Sequence, residues 1–138
     1  MFKRMKSASL RASVLVGLCA TTLLAVAPES PVADAAQQGE LELVRSLLRG
    51  GADVNAGQGD GTTALHWAAM SGDVEMVQLL LYAGANREST TRLGSYTPLH
   101  LASKRGHFAT VGALLENGSN PSALTGLGLT PLHFAAAS

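Results

Sequence analysis

The sequence predicts an all-α solenoid made of helix–turn–helix–loop units, about three and a half of which are visible. Two observations lead to this fold. One apolar phrase occurs three times, as TALHWAA, TPLHLAS and TPLHFAA, and its histidines lie 34 and 33 residues apart. A second phrase, found as GAD, GAN and GSN, recurs at spacings of 33 and 34 residues. Self-similarity at this period is typical of proteins built from stacked repeats.

Each repeat is predicted to open with a short helix that begins at a threonine and ends at a glycine. A threonine hydroxyl at the N-cap accepts a hydrogen bond from a free backbone N–H. Proline suits the next position because the N–H that it lacks would have no partner inside the helix. Glycine readily takes the left-handed conformation that ends a helix. These positions hold Thr63, Thr97 and Thr130, then Pro98 and Pro131, and finally Gly72 and Gly106.

A second helix follows in each repeat and carries an apolar stripe. Its apolar residues follow the spacing i, i+3, i+6 and i+7, which keeps them on one face of a helix. A glycine is expected to close this helix, before a polar loop. We expect buried stripes at Leu41, Val44, Leu47 and Leu48, at Val74, Val77, Leu80 and Leu81, and at Phe108, Val111, Leu114 and Leu115.

A first repeat without the histidine precedes the three copies of the phrase. Residues 30–39 align with 63–72, so that Ser30 takes the N-cap position and Ala33 stands where histidine would be. Terminal repeats of such arrays commonly differ from internal ones because one of their sides faces water. The predicted boundaries are 1–27 for a leader and 28–138 for the repeats, divided into 28–60, 61–94, 95–128 and a partial fourth repeat at 129–138.

The leader, residues 1–27, is predicted to be a secretory signal peptide. Its first part is basic and its second part, 12–27, is uncharged and mostly apolar, which is the order found in export signals. We expect a periplasmic or secreted protein, cleaved after Ala27, since cleavage after Ala35 would remove the start of the first helix. An uncleaved signal that anchors the protein in a membrane is the alternative. The basic residues are Lys3, Arg4, Lys6 and Arg11.

The body of the protein gives no electrostatic reason to bind nucleic acid. From Pro28 onward it has six basic and ten acidic residues, a formal charge of about −4, whereas nucleic-acid-binding domains carry basic patches. The only cysteine, Cys19, lies in the predicted signal, so disulfides and cysteine catalysis are not expected in the exported part. The sequence has no recognised motif for a nucleophile, a zinc site or a phosphate loop. We therefore expect a non-enzymatic protein without a cofactor.

The repeated phrase resembles the signature of the ankyrin repeat, T-P-L-H-x-A. It stands unchanged at 97–102 and 130–135, and residues 63–68 depart from it only by Ala64 in place of proline. GADVNA at 51–56 is also similar to the usual end of the second ankyrin helix, and the resemblance covers about residues 30–138. It implies stacked helical hairpins whose concave groove and loop tips bind other proteins. A short basic export signal on such repeats indicates a bacterial source.

The repeated histidines could indicate metal or acid–base chemistry, but their spacing does not favour it. Equivalent residues of stacked repeats lie about 8–10 Å apart, whereas a zinc ion needs all its ligands at about 2.1 Å. The resemblance implies that each histidine bridges a helix start to the backbone of a neighbouring loop. His107 is predicted to lie at the surface. The residues predicted to be structural are Thr63, His66, Thr97, Pro98, His100, Thr130, Pro131 and His133.

The partner-binding residues are predicted from the surface that the resemblance assigns to binding. The loop at 87–96 is one residue longer than its equivalents, and its tip adds candidates to those of the groove. Tryptophan, methionine and arginine are enriched in protein interfaces. Packing of Trp67 and Phe134 between helices, and an ordinary solvated loop, are the alternatives. The candidates are Trp67, Met70, Leu101, Lys104, Arg105 and Phe134 in the groove, and Arg87, Arg92 and Tyr96 in the loop.

The predicted function is an exported binding module or scaffold whose partner is another protein. In a second hypothesis the repeats are the recognition part of a longer exported enzyme or effector, and in a third they form a membrane-tethered scaffold. Because the fourth repeat has no second helix, we also expect a segment resembling Gly-x-x-x-Val-x-x-Leu-Leu to follow Ser138.

Overall fold

The computed structural model describes residues 30–138, and the signal peptide predicted at 1–27 lies outside this part of the chain. Residues 30–138 form helices and loops and contain no strand. The helices are α1 (Pro31–Gln37), α2 (Leu41–Arg49), α3 (Ala64–Ser71), α4 (Val74–Tyr82), α5 (Pro98–Arg105), α6 (Phe108–Glu116) and α7 (Pro131–Ala137).

The helices pack in two rows. Helices α1, α3, α5 and α7 form an inner row in which each contacts the next, and α2, α4 and α6 each pack against the inner helix that precedes them. In this outer row α4 also contacts α6. The core lies between the rows, where Leu65, Met76, Leu80, Leu99 and Leu114 are fully buried. The predicted all-α solenoid is confirmed, whereas the boundaries between its repeats stay a prediction.

Glycines end the first helices of the second and third repeats, as the sequence predicts. Gly72 follows α3 and Gly106 follows α5, both in the left-handed conformation, with φ of 74° and 72°. A Cβ at Gly72 would also stand only 2.7 Å from the imidazole of His107. Glycine is therefore required there both by the backbone conformation and by the close approach of the next repeat.

The stripe predicted for α6 is wrong at its first and last positions, Phe108 and Leu115, the second of which is 41% exposed. Phe108 is 80% exposed, and the residues of α6 that are buried are Thr110, Ala113 and Leu114. Side chains two positions apart on a helix differ by about 200° around its axis, so Phe108 and Thr110 point to nearly opposite sides of α6. Thr110 takes the place that Met76 has in α4, where Met76 is 1% exposed. The spacing of apolar residues located the buried face only to within about half a turn.

The first repeat has its own way of joining the next one. Ser30 stands at the N-cap as predicted, but its side chain makes no capping hydrogen bond. Ala33, which replaces the histidine of the other repeats, is fully buried. The link comes from the following loop instead, because the side-chain amide of Gln58 donates to Asp34 Oδ1 at 2.7 Å and to Gln37 Oε1 at 2.9 Å.

Candidate interaction surface

Three loops connect the helix pairs, at 53–62, 86–96 and 120–129, and their tips are joined to each other. The backbone N–H of Arg92 donates to the carbonyl of Asp60 at 2.8 Å, and that of Gly126 donates to Gly94 at 2.8 Å. The extra residue of the middle loop is accommodated by two successive positive φ angles, 83° at Gly94 and 53° at Ser95. The three loops therefore form a continuous margin beside the inner helices.

The histidines of α3 and α5 join each helix start to the next loop. His66 Nδ1 accepts from the backbone N–H of Thr63 at 3.0 Å, and its Nε2 donates to the carbonyl of Tyr96 at 2.9 Å. His100 Nδ1 accepts likewise from Thr97 at 3.1 Å. Its Nε2 faces two carbonyls, of Ala123 at 3.0 Å and Leu129 at 3.1 Å. Both rings are therefore neutral Nε2–H tautomers, and neither nitrogen is left for a metal ion or a substrate proton.

His133 occupies the same position in α7 but is exposed. Its Nδ1 accepts from the backbone N–H of Thr130 at 3.0 Å and lies 2.7 Å from the threonine hydroxyl. Within residues 30–138 its Nε2 has no hydrogen-bond partner. His133 therefore keeps the bond to its own helix start but has no bond to a following loop among the described residues. It can serve as a control for the loop contacts of His66 and His100.

We predict that acid destabilises the protein through His66. Burial lowers the pKa of His66, and the hydrogen bond to the Tyr96 carbonyl opposes this effect only in part. The unfolded imidazole titrates near its ordinary pKa of about 6.5 and takes up a proton that the folded ring excludes. The free energy of unfolding should therefore level off well above that pH and fall below it, by at most about 1.4 kcal/mol between pH 7.5 and pH 5.5.

Urea denaturation at pH 7.5 and pH 5.5 measures this effect. The His66→Gln variant serves as the control because it cannot take up the proton, and its loss of stability between the two pH values should be smaller. An equal loss in both proteins would show that another group causes the acid sensitivity.

Four of the predicted partner-binding residues meet around one depression beside the loops, which we call the palm pocket. It has a volume of about 220 Å³. Trp67, Met70 and Leu101 line it from the inner helices, and Tyr96 lines it from the middle loop. Sequence reasoning missed the rest of its lining, Asp60, Thr62, Thr91 and Leu93. The sequence could have indicated Leu93, because it is a large apolar residue in an otherwise polar loop. In the structure Leu93 is 82% exposed.

Trp67 is held in a fixed orientation and remains half-buried. Its Nε1–H donates to Gln58 Oε1 at 2.9 Å, while the amide of Gln58 is itself tied to α1. Because the indole N–H already has its partner, Trp67 offers the face of its ring, and not a hydrogen-bond donor, to the palm pocket. Gln58 is therefore a positioning residue for the surface, and nothing in the loop sequence singles it out.

An aromatic cluster borders the palm pocket on the side of α7. The ring centroid of Tyr96 lies 5.7 Å from that of Phe134 and 6.3 Å from that of His100, and Phe134 lies 5.9 Å from His100. Lys104 Nζ stands 5.6 Å from the centroid of Tyr96, within cation–π range. Phe134 thus packs between neighbouring repeats, in line with the packing alternative, and Lys104 places a positive charge beside Tyr96.

A second depression lies at the C-terminal ends of the inner helices and shares Trp67 and Met70 with the palm pocket. We call it the wrist pocket. Its volume is about 310 Å³. Arg105 is its only charged lining residue, and the others are Ala36, Gln37, Gln38, Gly39, Trp67, Met70 and Ser71.

The two remaining candidates, Arg87 and Arg92, lie in the middle loop and line neither pocket. Arg92 is exposed, and its Cγ would be 3.3 Å from a Cβ at Gly61. Arg87 is also exposed, and its guanidinium would be 3.4 Å from a Cβ at Gly118. The side chain of Arg92 therefore lies against a glycine of the first loop, and that of Arg87 lies against the turn that follows α6.

Asp60 and His107 make contacts that the sequence did not predict. Hydrogen bonds from the Thr62 side chain and its backbone N–H lower the pKa of Asp60, so the palm pocket carries a carboxylate at neutral pH.

His107, predicted to lie at the surface, is half-buried. Its Nε2 donates to the carbonyl of Met70 at 2.9 Å, which ties α6 to the end of α3.

The part of the chain that the structure describes contains neither a metal-ligand group nor a membrane-spanning helix. Within it, no group of three or more His, Cys, Asp or Glu side chains could hold a metal ion. None of its seven helices is both long enough and apolar enough to cross a bilayer.

Comparison with known proteins gives one family model and a set of relatives. Residues 32–125 match the model for ankyrin repeats in three copies. Palmitoyltransferase ZDHHC17 of Danio rerio is 34% identical over 102 residues, which cover 74% of this chain and 16% of the relative. Palmitoyltransferase ZDHHC13 of Homo sapiens is 31% identical over 104 residues, 75% of this chain and 17% of the relative. Palmitoyltransferase Hip14 of Drosophila melanogaster is 32% identical over 102 residues, 74% and 16% respectively. The chain spans about a sixth of the length of these relatives.

Proposed function

The chain belongs to the ankyrin-repeat family, and on that premise we propose that it is a non-enzymatic module that binds another protein through the palm pocket and the wrist pocket. The observation that carries the proposal is the setting of Trp67. Its ring is half-buried, held by Gln58 and shared by both pockets. Trp67 thus stands where the two pockets meet, and tryptophan in a well-packed setting is among the residues most often found as binding hot spots.

The dimensions and charge of the palm pocket favour a protein partner over other ligands. Its volume of about 220 Å³ is below the range of about 300–1,000 Å³ typical of small-molecule sites, and the wrist pocket, at about 310 Å³, lies at the lower end of that range. The carboxylate of Asp60 lines it, which disfavours a phosphate backbone. One large apolar side chain of a partner is the occupant that suits it.

We predict that Trp67→Ala lowers the affinity for the partner by at least about tenfold, since truncated hot-spot residues commonly cost 2 kcal/mol or more. Isothermal titration calorimetry of the purified pair measures the change. Tyr82→Ala is the matched control because Tyr82 is an aromatic residue on α4, 94% exposed and outside both pockets, and its affinity should change less than about twofold. A larger loss for Tyr82→Ala than for Trp67→Ala would place the binding surface on the outer row.

A second candidate function is favoured by the relatives, whose names describe palmitoyltransferases and of which the chain matches about a sixth. In this case the repeats would select the partners of a longer protein whose catalytic part lies elsewhere. An antibody against residues 30–138 distinguishes the two cases by the mass of the protein that it detects in cells. A band far larger than a chain of 138 residues would favour the second function.

The location of the protein is also a proposal. The order of basic and apolar residues at 1–27 supports export to the periplasm or the medium, with cleavage after Ala27, and retention in the membrane through an uncleaved signal is the alternative. The bacterial source likewise rests on this leader alone.

A further inference from the structure

We propose that the segment bound by this surface has a fixed charge order, in which a large apolar residue is flanked by a basic residue on one side and an acidic residue on the other. This inference rests on the proposed function and names the chemistry of the partner. Its basis is that the two pockets meet at Trp67 and Met70, whereas their charged lining residues are of opposite sign, Asp60 in the palm pocket and Arg105 in the wrist pocket. Lys104 stands beside Tyr96 but lines neither pocket.

The acidic side is the palm pocket. Asp60 lines it from the first loop, and the backbone N–H of Thr62 donates to Asp60 Oδ1 at 2.9 Å. Hydrogen bonds of this kind hold the group as a carboxylate and fix its position. No ion pair within residues 30–138 involves Asp60, since both ion pairs found there belong to Arg45. The carboxylate is available to a basic group of the partner.

The basic side is the wrist pocket. Arg105 is exposed at the end of α5 and is the one charged residue of the pocket, whose other polar side chains are Gln37, Gln38 and Ser71. Arg105 also makes no ion pair within the described residues. A guanidinium among neutral polar groups favours a carboxylate.

The ridge between the pockets fixes the middle of the segment. Trp67 and Met70 belong to the lining of both pockets, and the indole N–H is already bonded to Gln58. The ridge therefore offers only apolar surface and selects an aliphatic or aromatic side chain. A segment that crosses it meets a carboxylate on one side and a guanidinium on the other, which sets its direction as well as its composition.

Selection from a displayed library of random 12-residue peptides on the full chain tests the inference. The expected peptides carry an apolar residue between a base and an acid in one constant order, and they are lost with Trp67→Ala. Their affinity should fall about twofold to fivefold with Asp60→Asn or Arg105→Gln, as for exposed charge pairs. In the double variant Asp60→Lys, Arg105→Glu, selection should yield the opposite order of charges. The loop should tolerate loss of the carboxylate, because Leu127 takes the same position, three residues before the threonine, in the last loop.

Two outcomes separate this inference from the function on which it rests. Peptides that depend on Trp67 but show no constant charge order, or keep their order on the double variant, would overturn the inference and leave the binding function intact. A selection that yields no peptides dependent on Trp67 would overturn both. Matching circular dichroism spectra and unfolding midpoints of the variants show that each is folded.

Discussion

Replacing Leu99 with alanine is expected to lower the free energy of unfolding by about 2–5 kcal/mol, the range found for leucines deleted from well-packed cores. Leu99 is 1% exposed and belongs to the core between the two rows of helices. Removing its side chain forfeits the transfer free energy of the buried atoms and leaves a cavity that neighbouring helices fill only in part. Chemical denaturation followed by circular dichroism measures the loss.

Leu132 provides the matched control, because it holds the same position in the last copy of the phrase and is 73% exposed. Leu132→Ala should change the free energy of unfolding by less than about 0.5 kcal/mol, as for other surface substitutions. Losses of similar size at both positions would mean that Leu132 is covered in solution. A small loss at Leu99 would contradict the core that the structure describes.

Replacing His100 with leucine is expected to cost about 3 kcal/mol or more, although leucine is apolar and of similar size. The ring is fully buried, and its loss leaves the Thr97 N–H without its acceptor and the Ala123 carbonyl without a donor. The Leu129 carbonyl loses one of its two donors, since the Thr125 N–H still donates to it at 2.9 Å. Each buried polar group that loses its partner costs about 1–3 kcal/mol. The effect should be visible as a lower denaturation midpoint at pH 7.

His133→Leu makes the same change in the repeat where the ring is exposed and bonded only to Thr130. Its cost should not exceed about 1 kcal/mol, the usual value of one helix cap. If the two variants lost equal stability, the bridge to the neighbouring loop would contribute nothing and the histidine would act as a cap alone.

The repeat spacing made most of the fold predictable. The phrase around each histidine and the glycine after it defined the inner helices, because capping threonines and left-handed glycines act through local backbone geometry. Phe108 was misplaced because apolar periodicity on a helix of nine residues did not reveal that a threonine, Thr110, on the nearly opposite side holds the buried position. Only the packing of α6 against α5 resolves that choice.

The residues of the binding surface could be predicted from the sequence only where they belong to the repeated inner helices. Trp67 and Leu101 occupy matching positions of α3 and α5, and Met70 lies three residues after Trp67, so the resemblance was enough to place them on one side of the solenoid. Gln58 and Asp60 lie in a loop whose sequence shows no pattern. The Gln58 side chain contacts residues 9 to 24 positions away, and the Asp60 carbonyl accepts from Arg92, 32 positions away, contacts that follow from the stacking of whole repeats. The bond from Thr62 to the Asp60 carboxylate is local, but it does not reveal that Asp60 lines a pocket with the inner helices. The charge that distinguishes the two pockets was therefore visible only in the folded chain.

The claim that the inner side of the solenoid binds a protein is tested most directly by photo-cross-linking in cells. A benzoylphenylalanine residue is placed in the full chain at Leu93, which lines the palm pocket, or at Tyr82 on the outer row, positions that are 82% and 94% exposed. Irradiation should give a discrete cross-linked product from position 93 that disappears with Trp67→Ala, and none from position 82. A product from position 82 alone, or equal products from both, would contradict the assignment.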